Sequence, residues 1–300
     1  MIDVQNLTQV YRSGKGIFDV NFHTKEGEVF GYLGPNGAGK TTTIRNLMGF
    51  ANATKGHAAI NGIDCRRDAA KLQSRIGYLP GEMAFLDNMT GLEFLKFVGD
   101  MRGTKDQKRR DRLIVQMELD TAGKIKKMSK GMKQKLGIIT AFMHDPDIYI
   151  LDEPTSGLDP FMQKAFMEIL RGEKDRGKTI MMSSHIFEEV QQICDRAGII
   201  REGRIVAIED VQSLNAMKRE TYVVTLSDGK DVQRLLEYDF TAEKLSDYRI
   251  QISVHQNYQA VFAALSTCSV VGLETAPQTL ENVFMKYYGK DGDKHESTAV

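Results

Sequence analysis

Apolar and polar positions along the chain change period several times, and each change marks an element. Residues 1–32 alternate in short runs broken by the turn cluster Ser13-Gly14-Lys15-Gly16, which predicts short strands joined by turns. Val29-Phe30-Gly31-Tyr32-Leu33 is a nearly unbroken apolar run and predicts a strand that enters a glycine-rich loop, with a helix from Thr41 to Phe50 beyond it. Residues 92–144 carry a helical pattern, and the charged stretch Lys105–Arg112 within them is expected to be a solvated face. Ile148-Tyr149-Ile150-Leu151 and Lys178–Ser183 predict two further buried strands, the second followed by a helix over 186–194.

The pattern shifts near 213–220, where Ala216-Met217-Lys218-Arg219-Glu220 is polar and a new alternation begins at Tyr222. This predicts a first domain over 1–215, with a helical subdomain at about 85–145, and a small α+β accessory domain over 216–288. Strands in the second domain are expected near 221–226, 248–254 and 268–274, with helices between and after them. Residues 289–300 are small and polar and predict a disordered tail.

Composition narrows the class. With 41% hydrophobic and 27% charged residues, 300 residues can bury a full core. Forty Lys plus Arg balance forty Asp plus Glu, so the overall charge does not favour nucleic acid or an anionic membrane surface. The three cysteines, Cys65, Cys194 and Cys268, are widely spaced and read as reduced thiols packed as small hydrophobes. No run approaches the roughly 18 apolar residues of a membrane span. The first residues carry an early acid and no apolar signal core, so export is not expected.

Two segments carry chemistry. Gly34-Pro35-Asn36-Gly37-Ala38-Gly39-Lys40-Thr41 fits the phosphate-loop pattern G-x-x-x-x-G-K-[ST], in a strand–loop–helix context. Glycines let successive backbone N–H groups surround phosphate oxygens, and the following helix turns its positive dipole end on them. Lys40 can reach the β- and γ-phosphates, and the Thr41 hydroxyl can ligate Mg²⁺. In the second segment, the apolar strand Ile148–Leu151 delivers Asp152-Glu153 to the sheet edge where open α/β sheets bind ligands. Asp152 is expected to help hold Mg²⁺, and Glu153 to activate the attacking water as general base.

These residues resemble the ABC ATPase family. Pro154-Thr155-Ser156-Gly157-Leu158-Asp159-Pro160 looks like the family's D-loop, and Met128-Ser129-Lys130-Gly131-Met132-Lys133-Gln134-Lys135 looks like its signature segment, usually L-S-G-G-Q. Ser183-Ser184-His185 looks like the switch histidine, and the order of all the segments is the family's. The resemblance covers about residues 1–215 and implies an α/β fold of the P-loop NTPase type. That fold would have a RecA-like core, an antiparallel β subdomain and a helical signature subdomain, followed here by the small α+β domain.

The resemblance also implies an ATP-hydrolysing site with Mg²⁺, shared between two subunits packed head to tail. Gly34, Pro35, Asn36, Gly37, Ala38, Gly39, Lys40, Thr41 and Thr42 would hold the phosphates, and Tyr11 would stack on adenine. Ser129 and Gly131 would touch the γ-phosphate held by the other subunit, with Ser129 also a natural helix N-cap. Asp159 would couple the two sites, and His185 would hold the γ-phosphate and position water beside Glu153.

The sequence departs from the family in two places. Lys130 and Met132 replace the first Gly and the Gln of the signature. At Tyr78-Leu79-Pro80-Gly81-Glu82, Gly81 stands where the family has a glutamine near Mg²⁺. The apolar stretch Met83–Met89 that follows is where the family receives a coupling helix from its membrane subunit, although the same residues could pack inside the helical subdomain.

The ending Pro277-Gln278-Thr279-Leu280-Glu281-Asn282-Val283-Phe284, with Tyr287-Tyr288, resembles export-type subunits that pair with ABC-2-type permeases. The resemblance therefore implies a transporter motor driving a separate polytopic permease. It would be cytoplasmic and held at the inner face of the cell membrane through that partner, as a homo- or heterodimer. The rival is an ABC ATPase acting on ribosomes or nucleic acid. About 90 residues separate Lys40 from Ser129, too few for a coiled-coil arm, and the chain has one cassette. Neutral net charge also disfavours nucleic acid.

Overall fold

The computed structural model describes residues 1–104, 107–216, 220–238, 240–254 and 258–276. The chain divides into two compact units, Met1–Val211 and Gln212–Val300.

The first unit opens with β1 (Ile2–Val10) and β2 (Gly16–His23), an antiparallel pair whose turn includes Ser13 to Lys15. β3 (Val29–Leu33) leads through the glycine-rich loop to α1 (Lys40–Leu47). β4 (Lys55–Ile60), β5 (Ile63–Asp64), α2 (Ala69–Gln73) and β6 (Ile76–Leu79) follow. The sequence pattern over 92–144 resolves into three helices: α3 (Gly91–Met101), α4 (Lys108–Gln116) and α5 (Lys130–Phe142). Local chemistry sets their starts. Thr90 and Glu93 form a reciprocal capping box on α3, and Ser129 caps α5 by accepting from the Met132 N–H.

β7 (Ile148–Asp152), α6 (Pro160–Asp175), β8 (Thr179–Ser184), α7 (Phe187–Ile193), β9 (Arg196–Arg201) and β10 (Arg204–Asp210) complete the unit. Asp159 caps α6, with Pro160 in its first turn, where a missing N–H costs nothing. The short α8 (Val211–Ala216) runs across the division between the units.

Two sheets build this unit. One is antiparallel, in the order β2-β1-β4-β5; the other runs β10-β9-β3-β8-β7-β6 and is parallel except for β10. Every residue of β3, β7 and β8 is buried, which is why these strands read as continuous apolar runs rather than alternations. Ile44 and Leu47 of α1 and Met48 at its C-cap share one core with Ile2, Val4 and Leu7 of β1 and with Phe30, Ile150 and Met181 of the parallel sheet. The core therefore braces the loop before α1 from both sheets. β3 pairs with β8 and β9 rather than with its sequence neighbours β2 and β4, which lie in the other sheet, so its C-terminal end lies where ligands bind in open α/β sheets.

The expectation that Lys105–Arg112 forms a solvated face is corrected for part of that stretch. Lys105 and Asp106 lie outside the described residues. Asp111 and Arg112 are exposed, but Arg110 is buried and the Arg109 side chain is 17% exposed. Arg109 donates to the Phe142 carbonyl at 2.8 Å, to Tyr149 Oη at 3.2 Å and to Glu173 Oε1 at 2.5 Å. Arg176 closes the network on Glu173 at 2.9 Å and Asp145 at 2.7 Å. A buried Glu173 needs these donors, so the α4 arginine turns inward to α6.

The second unit contains β11 (Glu220–Leu226), α9 (Gly229–Leu236), β12 (Thr241–Ser246), β13 (Arg249–Val254), α10 (Tyr258–Ser266) and β14 (Val270–Thr275). Its antiparallel sheet has the order β12-β13-β11-β14, the split βαβ arrangement repeated twice. Val224, Leu226, Ile250, Ile252 and Val254 of the sheet pack with Val232, Leu235, Val261 and Leu265 of the two helices. Sequence pattern missed β12, because Thr-Ala-Glu-Lys-Leu-Ser on an edge strand is mostly exposed and lacks an apolar period. The Pro277–Tyr288 resemblance, the helix expected after the last strand and the tail expected over 289–300 lie outside the described residues.

Candidate active site

The site forms where β3, β7 and β8 end side by side. Gly34 follows β3, and its N–H donates to the Ser184 carbonyl at the end of β8 at 3.1 Å. A Cβ at Gly34 would stand 2.3 Å from the Ile200 carbonyl oxygen, so only glycine lets the loop pass. Gly39, at φ 110°, turns the loop into α1 and supplies no capping side chain. The first N–H groups of α1 therefore face the loop without a side-chain acceptor, the arrangement that binds phosphate. Pro35, Asn36 and Gly37 at the tip are exposed, while Ala38 anchors the loop in the core.

Lys40 is only 4% exposed, and its ammonium is fully engaged. It donates to the carbonyls of Gly34 at 2.7 Å and Pro35 at 3.1 Å, and it pairs with Glu153 Oε1 at 3.1 Å. The other oxygen of Glu153 meets His185 Nδ1 at 3.2 Å. Glu153 adopts a left-handed backbone, φ 46°, an uncommon conformation held here by N–H donation to the Ser183 carbonyl and hydroxyl. Neighbouring strands thus bring Lys40, Glu153 and His185 into one chain of contacts.

Asp152 is fully buried. It accepts from Thr41 Oγ1 at 2.8 Å and from Ser183 Oγ at 2.5 Å. A hydroxyl and a carboxylate at one edge are hard oxygen ligands, the donor set that suits Mg²⁺ beside substrate phosphates. Among the described residues no group of three or more His, Cys, Asp or Glu side chains could hold a metal by itself. The Thr41 hydroxyl and the Asp152 carboxylate fit a cation that takes its remaining oxygens from phosphate and water. Gly81 packs here too: a Cβ on it would lie 3.2 Å from Asp152 Oδ2. Glu82 beside it is exposed. Burial, and secondarily the Asp152 charge, push the Tyr78 hydroxyl up to about 12, so it stays protonated next to the site.

The other sequence-predicted residues lie around this centre. Tyr11 sits exposed after β1, its backbone bonded to Lys15 and Gly14. Thr42 follows Thr41 in α1, and its carbonyl accepts from Asn46. The Ser129 hydroxyl serves as the α5 cap, and Gly131 approaches Gly157 so closely that a Cβ would be 2.9 Å from its carbonyl oxygen. Lys130 lies along Gly157, and Gln134 donates to the Pro154 carbonyl at 2.7 Å, so the signature helix rests on the 154–157 loop. Asp159 spends its carboxylate on capping α6. Met83 divides the apolar stretch after Gly81: it packs inward on Gly137, whereas Leu86 is exposed.

Three buried polar groups stand at the site without a role read from sequence: Thr155 and Gln134, which the sequence reading names only as members of their segments, and Glu189, which it passes over. Glu189 alone left a visible signal, as an acid set among Phe187, Val190 and Ile193 on the buried side of α7.

The sequence matches the ABC transporter family model over residues 17–156. It is 34% identical to the bacitracin transport ATP-binding protein BcrA of Bacillus licheniformis, over 96% of this chain and 97% of that one. It is 30% identical to the linearmycin resistance ATP-binding protein LnrL of Bacillus subtilis, over 97% and 99%. Among solved structures, an ATP-binding subunit of an ABC transporter superposes with a TM-score of 0.66 at 29% identity, over 72% of this chain and 92% of that one. The dimeric cassette MJ0796 in a post-hydrolysis state, bound to ADP and Pi, shares the fold with a TM-score of 0.62 at 24% identity, over 70% and 99%.

Proposed function

The chain belongs to the ABC transporter family as an ATP-binding subunit and ATPase, and from that premise we propose that it is the motor of an export system, working as a head-to-tail dimer on a separate permease. The observation that carries this reading is the contact chain Lys40–Glu153–His185 beside the Thr41–Asp152 pair. In use, the loop N–H groups and Lys40 bind the β- and γ-phosphates of ATP. Thr41 and Asp152 would hold Mg²⁺, which would supply charge neutralisation to the phosphates. Glu153 takes a proton from water, whose oxygen attacks the γ-phosphorus as the bond to the ADP oxygen breaks. His185 holds the γ-phosphate in line. The products are ADP and inorganic phosphate.

The signature segment supports the two-subunit site. Ser129 and Gly131 head α5 against the 154–157 loop, so a second copy approaching that loop meets a helix N-terminus suited to phosphate. For the permease, the aromatic pair Phe85–Phe94 with exposed Leu86, Phe97 and Met101 offers an apolar docking patch. No described helix is long and apolar enough to cross a membrane. Relatives named for bacitracin transport and linearmycin resistance support export of an antibiotic-like cargo, and the permease would read that cargo.

The test is to tag the chain in its native cell, solubilise membranes gently and identify what co-purifies with ATP. A stoichiometric polytopic membrane protein is expected. Recovery with ribosomes or DNA-bound proteins, and no membrane protein, would overturn the transport reading.

A further inference from the structure

We propose that Glu189 is a positioning residue for hydrolysis, a buried carboxylate that fixes Glu153 and His185 against each other; this rests on the catalytic roles given to those two residues above. Glu189 is 8% exposed on α7 and bonds to Thr155 and Ser184 rather than to either of them. Its Oε1 accepts from Thr155 Oγ1 at 2.5 Å, and its Oε2 accepts from Ser184 Oγ at 2.6 Å. Thr155 lies two residues after Glu153, and Ser184 immediately precedes His185. One carboxylate therefore ties together the two backbone segments that carry the base and the histidine.

The other bonds of these segments are local: apart from Glu189 Oε2, the Ser184 hydroxyl reaches as a donor only the Ile186 carbonyl of its own turn, at 3.3 Å. The Ser184 hydroxyl also accepts from the Ile186 N–H at 2.9 Å, which fixes the turn around His185. The Glu153 carbonyl accepts from the Ser156 N–H at 3.1 Å, so Thr155 lies inside the turn that sets the left-handed backbone of Glu153. Both hydroxyls are buried and need acceptors, and a carboxylate supplies one oxygen to each. Removing it leaves the segments beyond the β7–β8 ladder joined by the Glu153 N–H bonds to Ser183 and by the reacting side chains, where His185 Nδ1 meets Glu153 Oε2 at 3.2 Å. Lys40, Thr41 and Asp152 bond to the loop carbonyls, Glu153, Ser183 and each other rather than to Glu189, so nucleotide affinity is expected to survive.

The test measures ATPase kinetics of the purified full chain as wild type, Glu189→Ala, Glu189→Gln and Glu153→Gln, with binding of a fluorescent ATP analogue as the check on folding. For Glu189→Ala, kcat is expected to fall about 10- to 100-fold, the cost of a misplacement near 1 Å, while KM moves less than about twofold. Glu189→Gln keeps one acceptor and the shape, and is expected to restore most of the rate. A Glu189→Ala kcat within about twofold of wild type, or a loss confined to KM, overturns the proposal. If Glu189→Ala fails to bind nucleotide, the decision passes to the Thr155→Val, Ser184→Ala double variant. A kcat loss there at unchanged KM supports the tie, and wild-type kinetics overturn it. Glu153→Gln separates the two claims: full turnover in that variant removes the underlying catalytic reading, whereas its failure beside an active Glu189→Ala removes only the tie.

Discussion

Replacing Glu153 by Gln is expected to do two things at once, because the carboxylate both faces the reaction and occupies Lys40. The ammonium stands 3.1 Å from Glu153 Oε1, with the two side chains 4% and 24% exposed. At an effective dielectric of about 20, that separation corresponds to a gross attraction of about 5 kcal/mol. Desolvation offsets most of it, leaving a net of about 1–2 kcal/mol that phosphate must displace. Lys40 keeps its bonds to the Gly34 and Pro35 carbonyls in the variant, so it stays in place without a counter-charge. Glu153→Gln is therefore expected to bind Mg·ATP about 5- to 30-fold more tightly. Loss of the base should lower kcat by about 10²- to 10⁴-fold. Affinity is read by titration at concentrations where sedimentation shows a monomer, so that closed dimers do not add to the apparent gain, and kcat is read by phosphate release. Unchanged affinity in the monomer would refute the competition between Glu153 and phosphate for Lys40. Wild-type turnover would remove Glu153 as the base.

Two further predictions concern the buried charges on the α4 side of the first unit. Arg109→Met should lower unfolding stability by about 3 kcal/mol, the low end for a broken buried pair, because Arg176 and Tyr149 still hold Glu173; a urea-denaturation loss under about 1 kcal/mol would show that the arginine is a surface group after all. His144 is kept neutral in the fold: burial first, and the Arg102 charge second, lower its pKa from 6.5 to about 4, and Arg102 donates to Nε2 at 2.7 Å. Because the folded value lies below the unfolded one, the stability this group contributes is complete above pH 6.5 and is lost as pH falls toward about 4. Urea midpoints of wild type should therefore drop between pH 7 and pH 5, and His144→Gln should flatten that drop; parallel curves for the two proteins would exclude His144 as the cause.

What the sequence determined by itself is local. The glycine pattern at 34–39, the lysine and threonine after it and the acids ending an apolar strand are spacings, and spacing is set by covalent chain geometry. The buried parallel strands were equally legible, because a strand covered on both faces must be apolar throughout. The tertiary structure decided which of these pieces meet. Thr41 and Asp152 are 111 positions apart, and they touch because the sheet places β3 and β7 on either side of β8. The inward turn of Arg109 depends on a buried acid 64 residues away, which no local charge pattern encodes. Gly81 against Asp152 and Glu189 between Thr155 and Ser184 are of the same kind. A polar side chain is buried when a distant partner satisfies it, and only the folded chain supplies that partner.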